Sequence, residues 1–305
     1  MDIRSVDYVL AVADHGSLRA AAAAIGITQP ALTKAIRRME DETGVRLFDR
    51  TARGVRPTIY GEAMLRHARN LRASLRASRA EIAALRAGAA GSVHIGAGPS
   101  WERAVLPHAI AAFRAERPKV RIHVLGGTDD VLKARLREGA LDFVLAATPD
   151  SPALEPDLEW QTLQTDSYCV IAAREHPLVR RRSIRLAALA AYPWILPGPH
   201  SLMVQRLHGL FRAQGLPAPE PAIQTDIVRL RHQLLGTGPY LSFAAAGYVR
   251  ELRDRRITQL DVPEALNPRA AGVITRRGME PSPAAVKLIA TIAAAARPDQ
   301  RGSKR

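Results

Sequence analysis

Residues 28–43, TQPALTKAIRRMEDET, constrain the fold more than any other stretch of the chain. Ala31, Leu32, Ala35, Ile36 and Met39 recur at three- and four-residue spacing and share one face of a helix. Gln29, Thr33, Lys34, Arg37 and Arg38 are left on the other side. Thr28 stands where an N-cap belongs, and Pro30 falls in the first turn, where a missing N–H costs nothing. Such a helix must bury an oily stripe and present amides and cations elsewhere. Its N-terminal edge suits a major groove, with Gln29, Pro30, Thr33 and Lys34 at or near base edges and Thr28, Arg37 and Arg38 on phosphates. Taken alone, the same helix also reads as an ordinary surface element with a solvated basic face.

The flanking segments favour the groove. Residues 3–14 form an amphipathic helix with Ile3, Val6, Val9, Leu10 and Ala13 on one face, and His15-Gly16 breaks it. Ser17 caps a short Ala-rich helix, Leu18 to Ala24, which Gly26 ends. Helix, turn, helix at this spacing is a DNA-reading unit. The following VRLFDRTARGVRPT alternates and carries Arg46, Arg50, Arg53 and Arg56, with Gly54 permitting a tight turn between two short strands. This is a basic wing, and Arg50, Arg53 and Arg56 join the phosphate contacts. Pro57 removes a strand N–H and shortens the wing. At least one of these arginines is expected to pair with Glu40, Asp41 or Asp49.

Gly16-Ser17, Ala21-Ala22, Thr28-Gln29-Pro30-Ala31-Leu32-Thr33, Ile36, Met39-Glu40, Gly44, Leu47-Phe48, Arg50, Gly54-Val55, Pro57-Thr58 and Gly61 form a long ordered run. On these residues, 1–61 resemble the winged helix-turn-helix of LysR-type transcriptional regulators. The family usually has Ser at Thr33, Leu at Met39 and Pro57, and Phe at Tyr8. The resemblance implies double-stranded DNA as a partner, sequence-specific regulation of transcription, and RNA polymerase as a further partner.

Residues 59–88 contain no Pro and stop at Gly88. Met64, Ala68, Leu71, Leu75, Ser78, Ile82 and Leu85 alternate steps of four and three, the seam of a coiled coil. Met64, Leu71, Leu75, Ile82 and Leu85 are the expected dimer interface, since a reader of two half-sites benefits from two-fold symmetry. Packing of the stripe against the chain's own domain is the alternative. In the family this segment is the linker helix of a dimer, and tetramers built from two dimers are common, so a homodimer or homotetramer is implied.

From Gly91 strands alternate with helices. SVHIGAG, a helix from Ser100 to Glu116, KVRIHVLGG, a helix from Thr128 to Glu138, and LDFVLAA give a βαβαβ order and a parallel sheet. A second set follows: SYCVIAA, Ser201–Gln214, AIQT, a helix from Asp226, PYLSFA and Ala244–Arg253. RAAGVIT returns as a strand, and a helix from Pro283 to Ala296 closes the chain. Two crossings make two lobes with a cleft. The family resemblance extends here, to an effector-binding domain like a periplasmic binding protein, whose effectors are often small organic acids or aromatic metabolites. Ligands in such folds sit where strands end and helices begin. Pro99, Ser100 and Trp101 after the first strand, Thr128 after the second and Pro199, in an opposing rim of Pro197-Gly198-Pro199, are the expected effector contacts, with Ser100 as a helix N-cap. Asp129 and Asp130 place negative charge beside Thr128.

The expected architecture is an N-terminal all-α winged helix-turn-helix with a long linker helix, followed by a two-lobed α/β periplasmic-binding-protein-like domain. Its divisions are a DNA-binding domain at 1–58, a linker and dimerisation helix at 59–90, and an effector domain at 91–300. Lobe I covers 91–160 and 268–300, lobe II 161–267, and 297–305 form a disordered basic tail. The 44 Lys/Arg exceed 29 Asp/Glu by 15, and the excess is not confined to the DNA-reading end: 15 to 9 over residues 1–90 leaves 29 to 20 beyond. The single Cys169, in an apolar run, reads as a buried structural thiol and excludes an internal disulfide. The histidines show no metal-ligand spacing, and no catalytic constellation or cofactor motif stands out. With neither a signal peptide nor an apolar run of about 20 residues, a soluble cytoplasmic protein at the bacterial nucleoid, with no membrane partner, is expected. The rival is a solute-binding protein of a transport system, which would leave the first 61 residues without a purpose.

Overall fold

The computed structural model of the chain describes residues 3–51, 54–86, 91–103, 105–148, 155–252 and 256–296. The chain divides into two compact units, one holding residues 1–87 and 137–140 and the other the remainder. Arg53 and the tail at 297–305 lie outside the described residues, as do the side chains of Ile3, Arg50 and Leu85.

The first unit begins with α1 (Ile3–His15), α2 (Leu18–Ala24) and α3 (Gln29–Thr43). The hydroxyls of Ser17 and Thr28 accept the backbone N–H groups of Ala20 and Ala31, each at 3.4 Å, and so start α2 and α3. Val6, Val9, Leu10, Ala21, Ala22, Leu32, Ile36 and Met39 close one core. Each fully buried Val, Leu, Ile or Met side chain among them contributes about 1.5–3 kcal/mol of transfer free energy. Ala31, expected on the apolar face, is exposed: it sits in the first turn, beyond the reach of α1 and α2.

The wing is an antiparallel pair, β1 (Phe48–Thr51) and β2 (Gly54–Pro57), with Phe48 opposite Pro57 and Thr51 opposite Gly54. Pro57 thus stands at the last paired position. Two contacts seat the wing. The Glu40 carboxylate accepts the N–H groups of Leu47 at 2.8 Å and Phe48 at 3.2 Å, tying β1 to α3. Val55 N–H donates to the Gly16 carbonyl at 2.8 Å. That approach demands glycine at 54: its φ is +120°, and a Cβ there would stand 2.4 Å from the Gly16 oxygen. Among the described residues the ion pair of this region joins Arg38 and Glu42, one helical turn apart at 3.0 Å, while Glu40 is committed to the wing.

Helix α4 (Ile59–Arg86) runs for 28 residues. Its first turns belong to the head. Leu65 and Ala68 are buried in the head core and Met64 is half-buried against it. The expected seam is therefore corrected at its start, where Met64 and Ala68 face α1 within the same chain. Farther along, Leu71 and Ile82 are exposed and Leu75 is half-buried.

The second unit carries β3 (Ser92–Ala97), α5 (Pro99–Glu102), α6 (Val105–Glu116), β4 (Arg121–Gly126), α7 (Asp129–Arg137), β5 (Phe143–Ala147) and the 16-residue β6 (Leu158–Ala173). It continues through β7 (Trp194–Leu196), α8 (Leu202–Ala213), β8 (Pro221–Gln224), α9 (Val228–Leu235), β9 (Leu241–Ala245), α10 (Ala246–Glu251), β10 (Ile257–Gln259), β11 (Asn267–Arg276) and α11 (Pro283–Ala296). The strands form a sheet of nine, in the order β4-β3-β5-β11-β6-β9-β7-β8 with β10 on β6. β3 pairs in parallel with β4 and β5, as the βαβαβ order requires. The segment from Ser100 to Glu116 is not one helix: α5 and α6 are separate. The N-cap of α5 is Gly98 rather than Ser100, which lies inside the first turn.

Strands β6 and β11 run antiparallel from Leu158–Arg276 to Tyr168–Asn267 and pass from one apolar cluster to another. At one end Val93, Ile95, Trp101, Phe113, Phe143, Leu145 and Leu288 close a core; at the other Val170, Leu186, Trp194, Leu207, Phe211, Leu241 and Phe243 close a second. The divisions read from the sequence at 160/161 and 267/268 fall inside these two strands. Their close approach needs Gly272, where a Cβ would stand 1.9 Å from the Gln161 carbonyl oxygen.

Candidate functional sites

Helix α3 turns its Leu32, Ile36 and Met39 face inward and leaves Thr28, Gln29, Pro30, Lys34, Arg37 and Arg38 exposed, with Thr33 half-buried. Gln29, Pro30, Thr33, Lys34, Arg37 and Arg38 border one open surface depression with Asp41. The helix thus offers a capped N-terminus, one amide and three cations on one edge. Arg56 is exposed on β2, and Arg50 stands on β1 opposite Val55.

In the second unit a cavity of about 330 Å³ opens between the two cores. That is the size of a small-molecule pocket. Pro99, Ser100 and Thr128, three of the expected effector contacts, line it. Trp101 does not: it is fully buried in the first core, because α5 turns it away from the cleft. Of the expected rim, Pro197 lines the wall, whereas Pro199 is exposed and does not. Ala146, Ala147, Ala244 and Ala245 supply apolar floor where β5 and β9 end.

The polar lining went largely unread in the sequence. Arg269, at the start of β11, binds the Asp166 carboxylate and donates to Ser100 Oγ at 3.0 Å. Burial pulls its pKa down, but Tyr168 and Asp166 more than offset this and the net displacement is upward. The Tyr168 ring carries Arg269 at 5.1 Å and Arg206 at 5.7 Å from its centroid. Arg206 also donates to the carbonyls of Pro268 at 3.2 Å and Thr148 at 3.4 Å, so the crossing point of the strands is tied to α8. On the opposite wall Asp129, the first residue of α7, reaches α8: its carboxylate accepts Leu202 N–H at 3.0 Å and the Ser201 hydroxyl at 3.4 Å. Burial raises the Asp129 pKa against the pull of those bonds. Arg231, on α9, is buried and lines the cleft, and its Nε has no hydrogen-bond partner. Burial brings its pKa down to about 10, while Tyr248 and Asp226 oppose the fall.

Cys169 is buried and free, and burial pushes its thiol up to about 12, so it stays protonated and inert at neutral pH. Among the described residues no three His, Cys, Asp or Glu side chains are placed to hold a metal ion, and no helix is long and apolar enough to cross a membrane.

Residues 3–62 match the family described as bacterial regulatory helix-turn-helix protein, lysR family, and residues 86–297 match the LysR substrate binding domain. The chain is 34% identical over 226 residues to the HTH-type transcriptional regulator GbpR of Azospirillum brasilense, covering 74% of this chain and 66% of that one. It is 33% identical over 269 residues to the HTH-type transcriptional regulator GalR of Pseudomonas putida (88% and 67%). A third relative, the SDS degradation transcriptional activation protein of a Pseudomonas species, is 32% identical over 289 residues (93% of each). All three are named as regulators or activators of transcription, which leaves the transport alternative without support. Among solved structures, full-length CbnR complexed with its target DNA aligns over 97% of this chain and 100% of that chain, with a TM-score of 0.54 and 21% identity. A full-length OxyR variant from Pseudomonas aeruginosa aligns over 97% and 95%, with a TM-score of 0.55 and 21% identity; at that identity both likenesses speak for the fold. Head, cleft and relatives agree: the chain belongs to the LysR family of DNA-binding transcriptional regulators with an effector-binding domain.

Proposed function

We propose that α3 reads duplex DNA with Gln29, Pro30, Thr33 and Lys34 at or near base edges, while Thr28, Arg37, Arg38, Arg50, Arg53 and Arg56 hold phosphates. The observation that carries this reading is the orientation of α3: its apolar face is spent on the head core, and its amide and cations are left in water. Arginines at such positions hold phosphate, and amides discriminate bases. A small molecule enters the cleft of the second unit, touches Pro99, Ser100 and Thr128, and alters promoter binding and the access of RNA polymerase. The exposed Leu71 and Ile82 on α4, with half-buried Leu75, support pairing with the same helix of a second copy, as a homodimer or a homotetramer. These activities place the protein in the cytoplasm, at the nucleoid.

Selection of bound duplexes from a random pool tests the assignment. Gln29→Ala relaxes the selected sequence at one or two positions, costing roughly 1–3 kcal/mol of discrimination, while Arg56→Ala weakens all duplexes alike. Uniform weakening by Gln29→Ala removes that residue from base reading.

A further inference from the structure

Three of the six charged groups lining the cleft are already engaged. Asp129 is bound to the start of α8, Asp226 accepts Gly198 N–H at 2.9 Å, and Arg269 is held by Asp166 and Ser100. Arg229 is exposed to water. Arg231 differs because it is buried, and Glu102 is the lining carboxylate that is left unengaged. The Arg231 side chain is 5% exposed, faces the cavity, and makes no hydrogen bond or ion pair among the described residues. Its Nε is sealed from water without an acceptor, an arrangement that favours an anion reaching this guanidinium from the cleft. Glu102, on α5, is exposed and has no hydrogen-bond or ion-pair partner among the described residues. It stands in the first lobe and Arg231 in the second. Tyr248 lines the cleft with both, and the two are not paired with each other.

We infer that the cleft selects a small monoanionic acid that also carries a hydrogen-bond donor, a hydroxyl or an ammonium, with the anion on Arg231 and the donor on Glu102. This rests on the reading of the cleft as the effector site and deepens it. A second negative charge would meet Asp129 at the Thr128 end or Glu102 on α5, and the further cation of the lining, Arg229, is already solvated. The ligand body lies on the alanine floor. Because its two polar groups are taken from opposite lobes, such a ligand favours their approach.

Thermal shifts of the full-length protein with a matched set of probes test the inference. Mandelate carries the anion and a hydroxyl, phenylglycine the anion and an ammonium, phenylacetate the anion alone, phenylmalonate two anions, and mandelamide none. The pair 2-hydroxyhexanoate and hexanoate repeats the comparison on an aliphatic body. Saturable protection by a hydroxy or amino acid is expected at concentrations roughly ten- to hundredfold below those needed for the donor-free acid. Mandelate against phenylglycine separates the two donors. Phenylmalonate and mandelamide protect least. Arg231→Gln removes the protection, Arg231→Lys retains part of it, and Glu102→Met levels the hydroxy acid with its donor-free counterpart. Equal protection by mandelamide, unchanged protection of Arg231→Gln, or no protection by any of the hydroxy or amino acids overturns the inference. Met203→Trp, which fills the cleft, separates the two levels. Mandelamide protection abolished by it overturns only the charge assignment, whereas protection that survives it overturns the cleft reading as well.

Discussion

At the scale of single residues the chain shows how burial decides what a side chain does. His176 is buried at the start of a 3-10 turn, where Nδ1 accepts Leu178 N–H at 3.2 Å and Nε2 faces the Pro239 carbonyl at 3.3 Å. These partners fit a neutral ring, and a proton on Nδ1 would confront the Leu178 N–H. Burial accordingly lowers its pKa against the opposing pull of Pro239. The unfolded chain binds this proton near pH 6.5 and the folded chain only at lower pH. The stabilisation is therefore present above about pH 6.5 and is lost as pH falls below it. His176→Asn keeps an acceptor for Leu178 but cannot titrate, so the fall in melting temperature between pH 7.5 and 5.5 should be smaller than in the parent. An equal fall would show that His176 is protonated in the folded protein. The same logic explains why Arg231 was not read from the sequence as a site residue. In a chain with 44 Lys and Arg an arginine reads as solvated. The signal was its place beside His232 between Val228 and Leu235, at the spacing of an apolar helical face.

At the scale of elements, local sequence accounts for the head almost residue by residue, because caps, three-four spacing and a glycine turn all act within a few positions. Gly54 is the sharpest case. Gly54→Ala should destabilise the head by at least about 1–3 kcal/mol, since the new Cβ meets a backbone carbonyl at a positive φ. Urea unfolding followed by the ellipticity of α1–α3 checks this, and an unchanged midpoint would mean that the wing does not rest on the α1–α2 turn. The cleft elements were less legible. Residues 158–166 mix polar and apolar side chains, since β6 leaves one core there for the other, and so hid the first half of a long strand. The three-residue strands β7 and β10 are too short to show a period. Trp101 was assigned to the cleft on its position after β3, but whether α5 points it outward or into the core depends on α6 and α11, which sequence spacing does not reveal. The α4 stripe was legible as apolar, whereas the share of it consumed by the head depends on how α1 crosses it.

At the scale of the whole molecule, one chain carries the capped helix α3 with its exposed basic edge and a cleft whose walls are tied across by Asp129, Arg206 and Arg269. A ligand that changes those ties has a physical route to regulation, because it shifts the balance between conformations in proportion to its preference for one of them. The net charge of +15 is spread along the sequence, so total charge alone does not identify the reading face. The response of DNA binding to salt reports how many phosphates are held. For B-DNA log K falls by about 0.9 per neutralised phosphate against log salt, so the five arginines assigned in each head give a slope of roughly −4.5 or steeper. The most direct measurement is the affinity of the full-length protein for duplexes from its own promoter-proximal sequence, titrated from low to moderate salt. A slope near or beyond that value, reduced by about 1 for each arginine of a head replaced, is the predicted result. A flat response, or no duplex retained at any salt concentration, would contradict the assignment of α3 and the wing to DNA.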